Sequence, residues 1–393
     1  MASQLKLTEL LYPTSTTPAI TINADDTVTI PTLVINGGTL SPQTGFKNRI
    51  INGAMTIDQR NAGASVTPAT TNTFTLDRWI CGLTQASKFS VQQNAGAVTP
   101  PTGFKNYAGI TSTSSYAVTS SDAFFFEQRV EGFNVADLGF GTAAASTVTV
   151  SFMVRSSLTG TFGGCLRNGA NTRSYPFAFT IVAANTWEQK TITVAGDTSG
   201  TWLSDNGSGL KLTFGLGSGA TYAGTAGAWA TAEYYSATGA TSVVGTNGAT
   251  FYITGVQLEK GSVATPFEFR SIGTELGLCQ RYAIGFPFGS VSTQPTIAVG
   301  GTGLYWDANS IACSMNGSNL FNMRTVPTTI TSIGTQGTDW GFQTSAGVTQ
   351  TGFTLTTNHG LVAGDKTSHG LGANNVSLRV LTSAGNIIIS SEL

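Results

Sequence analysis

Apolar and polar positions alternate with a period of two along much of this chain. Val148, Val150, Phe152 and Val154 are interleaved with Thr149, Ser151, Met153 and Arg155. Leu210, Leu212, Phe214 and Leu216 are interleaved in the same way with Lys211, Thr213 and Gly215. This pattern predicts strands with one face on a core and the other toward solvent or a second sheet. In the run Phe251–Leu258 it puts Phe251 and Ile253 on one face, and Tyr252, Val256 and Leu258 on the other. Asn-Gly pairs beginning at Asn36, Asn52, Asn168, Asn206, Asn247 and Asn316 supply tight-turn signals between such runs. Short strands punctuated in this way predict an all-β fold, a β-sandwich or jelly roll. One helix is expected over 271–282, where Ile272, Leu276 and Cys279 fall at i, i+4 and i+7 behind Ser271 as N-cap. Gly273 and Gly277 restrict it to a short linker.

The pattern divides the chain into four stretches. Residues 1–45 read as an extended N-terminal arm, with Ile20/Ile22 and Val28/Ile30 forming a hairpin around Ala24, Asp25 and Asp26. A lone hairpin is marginal in water, so the arm is expected to need a partner, another copy or a different protein. Residues 46–270 form the body, 271–282 the linker helix, and 283–393 a second, C-terminal β-sandwich. In that last unit alternation returns at Phe353/Leu355, Val376/Leu378/Val380 and Ile387/Ile389.

Charge narrows the function. The 393 residues include 19 Lys and Arg and 20 Asp and Glu, a net charge of −1. That is 10% charged, against about a quarter in an average globular protein. There is no basic surplus for a nucleic acid. No apolar run approaches the roughly 18 residues of a membrane-spanning helix, so no membrane insertion is expected. The N-terminus lacks the basic-then-apolar layout of a signal peptide. In residues 281–393 the only charges are Arg281, Asp307, Arg324, Asp339, Asp365, Lys366, Arg379 and Glu392. Sheet edges with so little charge invite pairing, which predicts an oligomer. Cys81, Cys165, Cys279 and Cys313 show no C-x-x-C spacing and are expected as free, mostly buried thiols.

Three stretches carry a resemblance. The first is Asn48-Arg-Ile-Ile-Asn-Gly-Ala-Met-Thr-Ile-Asp-Gln-Arg-Asn-Ala-Gly63 with Thr75-Leu-Asp-Arg-Trp79. The second is Phe251-Tyr-Ile-Thr-Gly-Val-Gln-Leu-Glu-Lys-Gly261 through Ala264-Thr-Pro-Phe-Glu268 and Leu278-Cys-Gln-Arg-Tyr282. The third is Phe321–Pro327 with Ser390-Ser-Glu-Leu393. Together they resemble the bacteriophage tail-fibre and adhesin family. The resemblance implies a carbohydrate-binding-module-like jelly roll, usually trimeric and displayed on a virion, with a receptor-facing β domain behind it. It covers 46–282 well and the remainder loosely, and leaves the arm outside the shared pattern.

On this reading the chain is a virion structural protein, a homotrimeric tail fibre or adhesin subunit for host attachment. It would be assembled in the host cytoplasm and carried on the tail or capsid exterior. It would meet other virion proteins through residues 1–45 and a host surface glycan or protein receptor at the other end. A capsid head fibre or decoration protein is the alternative, and a tail-spike polysaccharide hydrolase a second one.

The candidate chemistry is sparse. Asp58, Arg60, Asp77 and Arg78 concentrate opposite charges, together with Lys47 and Arg49, in a chain that otherwise avoids them. They are expected to act as a structural clamp, with Arg60 or Arg78 paired to Asp58 or Asp77. His359 and His369, with Asp365 between them, read as loop residues rather than a metal site. No G-x-S-x-G, Walker or H-E-x-x-H motif occurs, so no cofactor and no catalytic activity are expected. Sugars present an apolar face and a rim of hydroxyls, which suits aromatic platforms beside short polar groups. Tyr305, Trp306, Asp307 and Asn309 with Trp340 have that make-up. Trp229 with Tyr234 and Tyr235 is a second cluster, equally suited to filling a core.

Overall fold

A computed structural model describes residues 46–285 and Glu392 with their side chains, and elsewhere only the backbone of short paired strands. The body consists of two antiparallel sheets. Its strands are β1 (Thr73–Phe74), β2 (Trp79–Leu83), β3 (Phe89–Gln93), β4 (Ala108–Ser112), β5 (Ala123–Glu131), β6 (Val148–Ser156) and β7 (Gly160–Asn168). They continue with β8 (Ser174–Ile181), β9 (Glu188–Val194), β10 (Ser208–Ser218), the short β11 (Ala223–Gly224) and β12 (Ser236–Ala237), and β13 (Thr250–Lys260). One sheet has the order β8-β7-β10-β5-β2-β1, the other β9-β6-β13-β4-β3. The chain crosses repeatedly from one sheet to the other, the connectivity of a jelly-roll sandwich. The fold class is therefore the all-β sandwich that the alternation predicts. The second, C-terminal sandwich lies outside the described residues. In the arm, the backbone of Ile20–Ile22 pairs antiparallel with Val28–Thr29, where the hairpin is expected.

The inner faces follow the sequence pattern. Val148, Val150, Phe152 and Val154 meet Leu210, Leu212, Phe214 and Leu216 in one buried core. Phe152 packs edge-on against Phe214 and Phe179, and Trp79 stacks on Phe126 at 4.8 Å. One strand departs from simple alternation. Phe251, Ile253, Val256 and Leu258 all face this core, so the split expected between the first and second pair does not occur. The register of β6 with β13 slips between Ser151 and Met153, and Gly255 has φ +61°. A bulge at that glycine inserts one residue and turns the second half of the strand over.

The centres of the outer faces are also covered. Tyr252 packs against Tyr107 beneath the 94–107 segment, and Trp187 closes on Tyr107 at 5.5 Å. On the six-stranded sheet, Tyr235 stacks on Phe125 at 4.3 Å and Ser236 sits above Gly163 and Gly215. A Cβ at either glycine would fall within 2.6 Å of the Ser236 side chain, so the cover sits directly on backbone. The helix α1 (Ile272–Gln280) follows, and the Ser271 hydroxyl accepts the Thr274 N–H as predicted. Its apolar packing lies in the second half: Cys279 joins Ile51, Ile57 and Tyr282, while Ile272 is 61% exposed. Nine residues give too short a stripe to keep both ends on the body. Cys81, Cys165 and Cys279 are buried free thiols, and Cys313 lies outside the described residues.

Gly255 supplies a test. A side chain there would need positive φ, and its Cβ would lie 2.6 Å from the Phe104 ring. Gly255→Val should lower stability by roughly 2–4 kcal/mol in urea unfolding, from backbone strain and overpacking together.

Candidate functional site

The sequence-predicted charges gather where the two ends of the body meet. Asn48 is buried and bridges both: its Oδ1 accepts from the N–H of Ile50 and Leu258, and its Nδ2 donates to the Val256 carbonyl. The Val256 N–H donates to the Gly53 carbonyl at 3.0 Å. A Cβ at Gly53 would lie 2.1 Å from the Val256 oxygen, so glycine is required for that approach. Arg270 donates to the carbonyls of Asn48 and Ile50, and Glu268 accepts the Asn48 N–H. Gln128 of β5 both accepts from the Ile51 N–H and donates to its carbonyl. Asn52 does more than turn the chain. At φ +57° its side chain reaches the carbonyls of Ile57 and Asp77, and its own carbonyl accepts from the Trp79 indole.

The expected clamp residues lie in this seam with different partners. Asp58 accepts the N–H groups of Asn61 and Gly63 and closes the 58–63 turn. Asp77 accepts both the backbone and the side-chain N–H of Gln59. Arg60 and Arg78 each form an ion pair with Glu392, at the far end of the chain. The expected pairing of arginine with Asp58 or Asp77 is thus corrected: turn geometry directs the aspartates to amide N–H groups. Arg78 lies 3.5 Å from the Tyr282 ring centroid and also donates to the Arg129 carbonyl. Glu131 receives Arg281 and the Tyr282 hydroxyl.

A second charged cluster lies beneath the 219–248 cover. Glu127 and Arg167 pair there, each 1% exposed, with Lys211 and Thr213 beside them. Burial alone would raise the Glu127 carboxyl, but Arg167, Arg129 and Lys211 hold it below its usual range. Burial pushes Lys211 down to about 8 against the pull of Glu127. Tyr235 and Glu233 close over Arg167, so this sheet face offers no open groove.

The open chemistry lies elsewhere, on aromatic residues in turns. Phe140, Trp202 and Trp229 are mutually near-perpendicular, with centroids 4.8, 5.4 and 5.9 Å apart, and Tyr175 adjoins Trp229 at 5.3 Å. All four are half-buried. The indole N–H groups are tied to the carbonyls of Ser199 and Ala195, which holds the rings in place. Arg173 and Asp197 pair bidentately at 2.7 Å, and Asp197 also accepts the Ser199 N–H, fixing the loop that carries Trp202. Beside Trp202 lies a cavity of about 250 Å³, lined by Val135, Leu138, Phe140, Thr142, Leu203 and Ser204 among others. Exposed Phe133 and Leu203 extend the apolar surface.

This site differs from both expected aromatic groups. Trp229 belongs to it, whereas Tyr235 packs over the sheet with Phe125 and Tyr222. The side chains of Tyr305, Trp306, Asp307, Asn309 and Trp340 lie outside the described residues, as do those of His359, Asp365 and His369. Trp202 and Phe140 lie outside the strand pattern. The available signal was an aromatic residue among turn-formers, as in Gly139-Phe-Gly141 and Gly200-Thr-Trp202. No group of three metal-binding side chains occurs among the described residues, nor any helix long and apolar enough to cross a membrane.

No protein-family model matches the chain, and no curated protein matches it. Among solved structures, the enzymatically active domain of a bacteriophage CBA120 tailspike matches at 10% identity and TM-score 0.31. That match covers 55% of this chain and 22% of the tailspike, about a fifth of its length. A family 4 carbohydrate-binding module matches at 14% identity and TM-score 0.27, over 53% of this chain and 98% of its own. The family 11 carbohydrate-binding module of a Clostridium thermocellum cellulosomal cellulase matches at 13% identity and TM-score 0.26, over 51% and 98%. The sandwich assignment rests on the sheet pairing.

Asp77 gives the seam a pH signature. Burial pushes its carboxyl up from 3.8 to about 6; Gln59 and Arg60 oppose the rise and Glu392 adds to it. The folded state therefore holds this proton more tightly than the unfolded chain. Stability from this group is full below pH ~4 and is lost as pH rises to ~6, by up to about 3 kcal/mol. Asp77→Asn removes that term. Its stability relative to the parent should improve steadily between pH 4 and 6.5, read from urea midpoints; parallel pH profiles would refute it.

Proposed function

We propose that this chain is a phage virion protein, a homotrimeric tail fibre or adhesin subunit that binds host surface carbohydrate without cleaving it. The observation that carries the reading is the fixed aromatic triad Phe140, Trp202 and Trp229 beside an open cavity. Ring faces held by indole-to-carbonyl bonds are pre-organised for the apolar face of a sugar, and binding does not have to order them. The cavity of about 250 Å³ is below the ~300–1,000 Å³ of pockets for drug-sized ligands. It suits one sugar ring at a time. Affinity per site is then weak, and several copies on a particle multiply it.

Two further features support adhesion over turnover. The buried carboxylates of the body, Asp77, Asp122, Glu127, Glu131, Asp197 and Glu259, are each hydrogen-bonded within the fold. They hold loops and strands together instead of facing the cavity. The paired opening and closing motifs resemble those of phage adhesins and fall on the seam of the sandwich. In this assembly residues 1–45 anchor the subunit, and 283–393 present Tyr305, Trp306, Asp307, Asn309 and Trp340 as a second contact.

The full chain should bind at least one bacterial surface polysaccharide on a glycan array and leave it uncleaved. Trp202→Ala should weaken that binding at least tenfold, with the β-sheet circular dichroism retained. Absence of binding to every glycan, or an unaffected Trp202→Ala variant, would remove this reading.

A further inference from the structure

We infer that Arg60 and Arg78 form a preformed receptor for a peptide carboxylate, and that the chain's own C-terminal Glu392 is its ligand. Glu392 Oε1 accepts from Arg60 at 2.9 Å, and Oε2 accepts from Arg78. The partners are 332 and 314 residues apart in sequence. The Glu392 side chain is 6% exposed, and those of Arg60 and Arg78 are 11% and 2% exposed.

The body holds both arginines by contacts that do not involve the glutamate. Arg60 lies over the Phe74 ring at 4.8 Å, and Arg78 over Tyr282 at 3.5 Å. Arg78 also donates to the Arg129 carbonyl, and the Tyr282 hydroxyl is fixed by Glu131. Two guanidinium groups buried this deeply demand an anion, because a buried charge without its partner is strongly destabilising. Asp77 lies nearby, but its oxygens accept the backbone and side-chain N–H of Gln59.

The chain end is delivered by backbone pairing. Strand β14 (Ala283–Gly285), directly after α1, pairs antiparallel with β15 (Asn386–Ser390), with Ser390 opposite Ala283. Two residues further on, the chain reaches Tyr282 and the receptor. Glu392 carries the only acidic side chain in 366–393, so the segment offers the site a single side-chain carboxylate. The pairing of β15 with β14 thus brings Glu392 to the body, and the two arginines hold it there. A carboxylate-bearing extended peptide is the ligand class that this geometry takes.

The test uses the full-length chain and a peptide. Glu392→Gln and Arg78→Gln should each lower the melting temperature by roughly 5–10 °C. The double variant should melt no lower than the worse single one, because both remove the same contact. Additive losses would overturn the proposal. If Arg78→Gln does not fold, Arg60→Gln replaces it in the same cycle. A chain ending at Ser390 should bind the peptide Ser390–Leu393 at least tenfold more tightly than the same peptide with Glu392→Gln. Equal binding of the two peptides, or none, would overturn it as well.

Discussion

The sandwich depends on one seam, in which Asn48 satisfies the backbone of the first segment and the last strand at once. Its amide supplies an acceptor to Ile50 and Leu258 and a donor to Val256. Those groups are buried, and an unsatisfied buried amide costs about 1–3 kcal/mol. A hydrophobic residue at 48 would leave three such groups open. Around this bridge Gly53, Gln128, Glu268 and Arg270 complete the closure. Arg270 in particular neutralises the carbonyl dipoles of the incoming chain while pairing with Glu268 and Glu275. The seam explains why charge in this chain is concentrated at 46–80 and again at 257–282. Both stretches line the same junction.

The seam also decides what was legible in the sequence. The opening motif Asn48–Gly63 and the closing motif Phe251–Tyr282 stand out because their polar residues are fixed by hydrogen bonds to backbone. Such residues are unusual in type for a strand-rich chain. The inner faces of β6 and β10 are legible for a simpler reason: strict alternation leaves one outcome for each side chain. Where alternation is interrupted the reading fails. Gly255 looks like an ordinary glycine in a strand, and only its positive φ reveals that Val256 and Leu258 rejoin the core face. The helix was legible through Ser271, yet the exposure of Ile272 depends on where the body ends, which no local pattern records.

The charged partners were harder still. Opposite charges close in sequence suggest mutual pairing, but short aspartates in turns are captured by neighbouring backbone N–H groups first. Asp58 and Asp77 follow that rule, and the long arginine side chains reach Glu392 instead. A contact spanning more than 300 residues has no signature at either end beyond an acid in a segment without others. The aromatic triad was concealed by the opposite effect. Aromatics in turns carry no period, so Phe140 and Trp202 gain meaning only when two loops meet.

Low charge and an aromatic site are connected through the outer faces of the sandwich. Most β-sandwiches expose one face of each sheet to water and need charge there for solubility. Here loops cover the centre of both outer faces, and the few charges beneath them, such as Glu127 with Arg167, are used in pairs. With the sheets closed, recognition is left to the loops that join them. A loop site built on Trp202 requires a rigid base, and the Arg173–Asp197 pair supplies it by tying the 196–202 turn to the residue that precedes β8. The charges that remain therefore hold the aromatic rings in position, and neutral ring faces are what the loops present to a ligand.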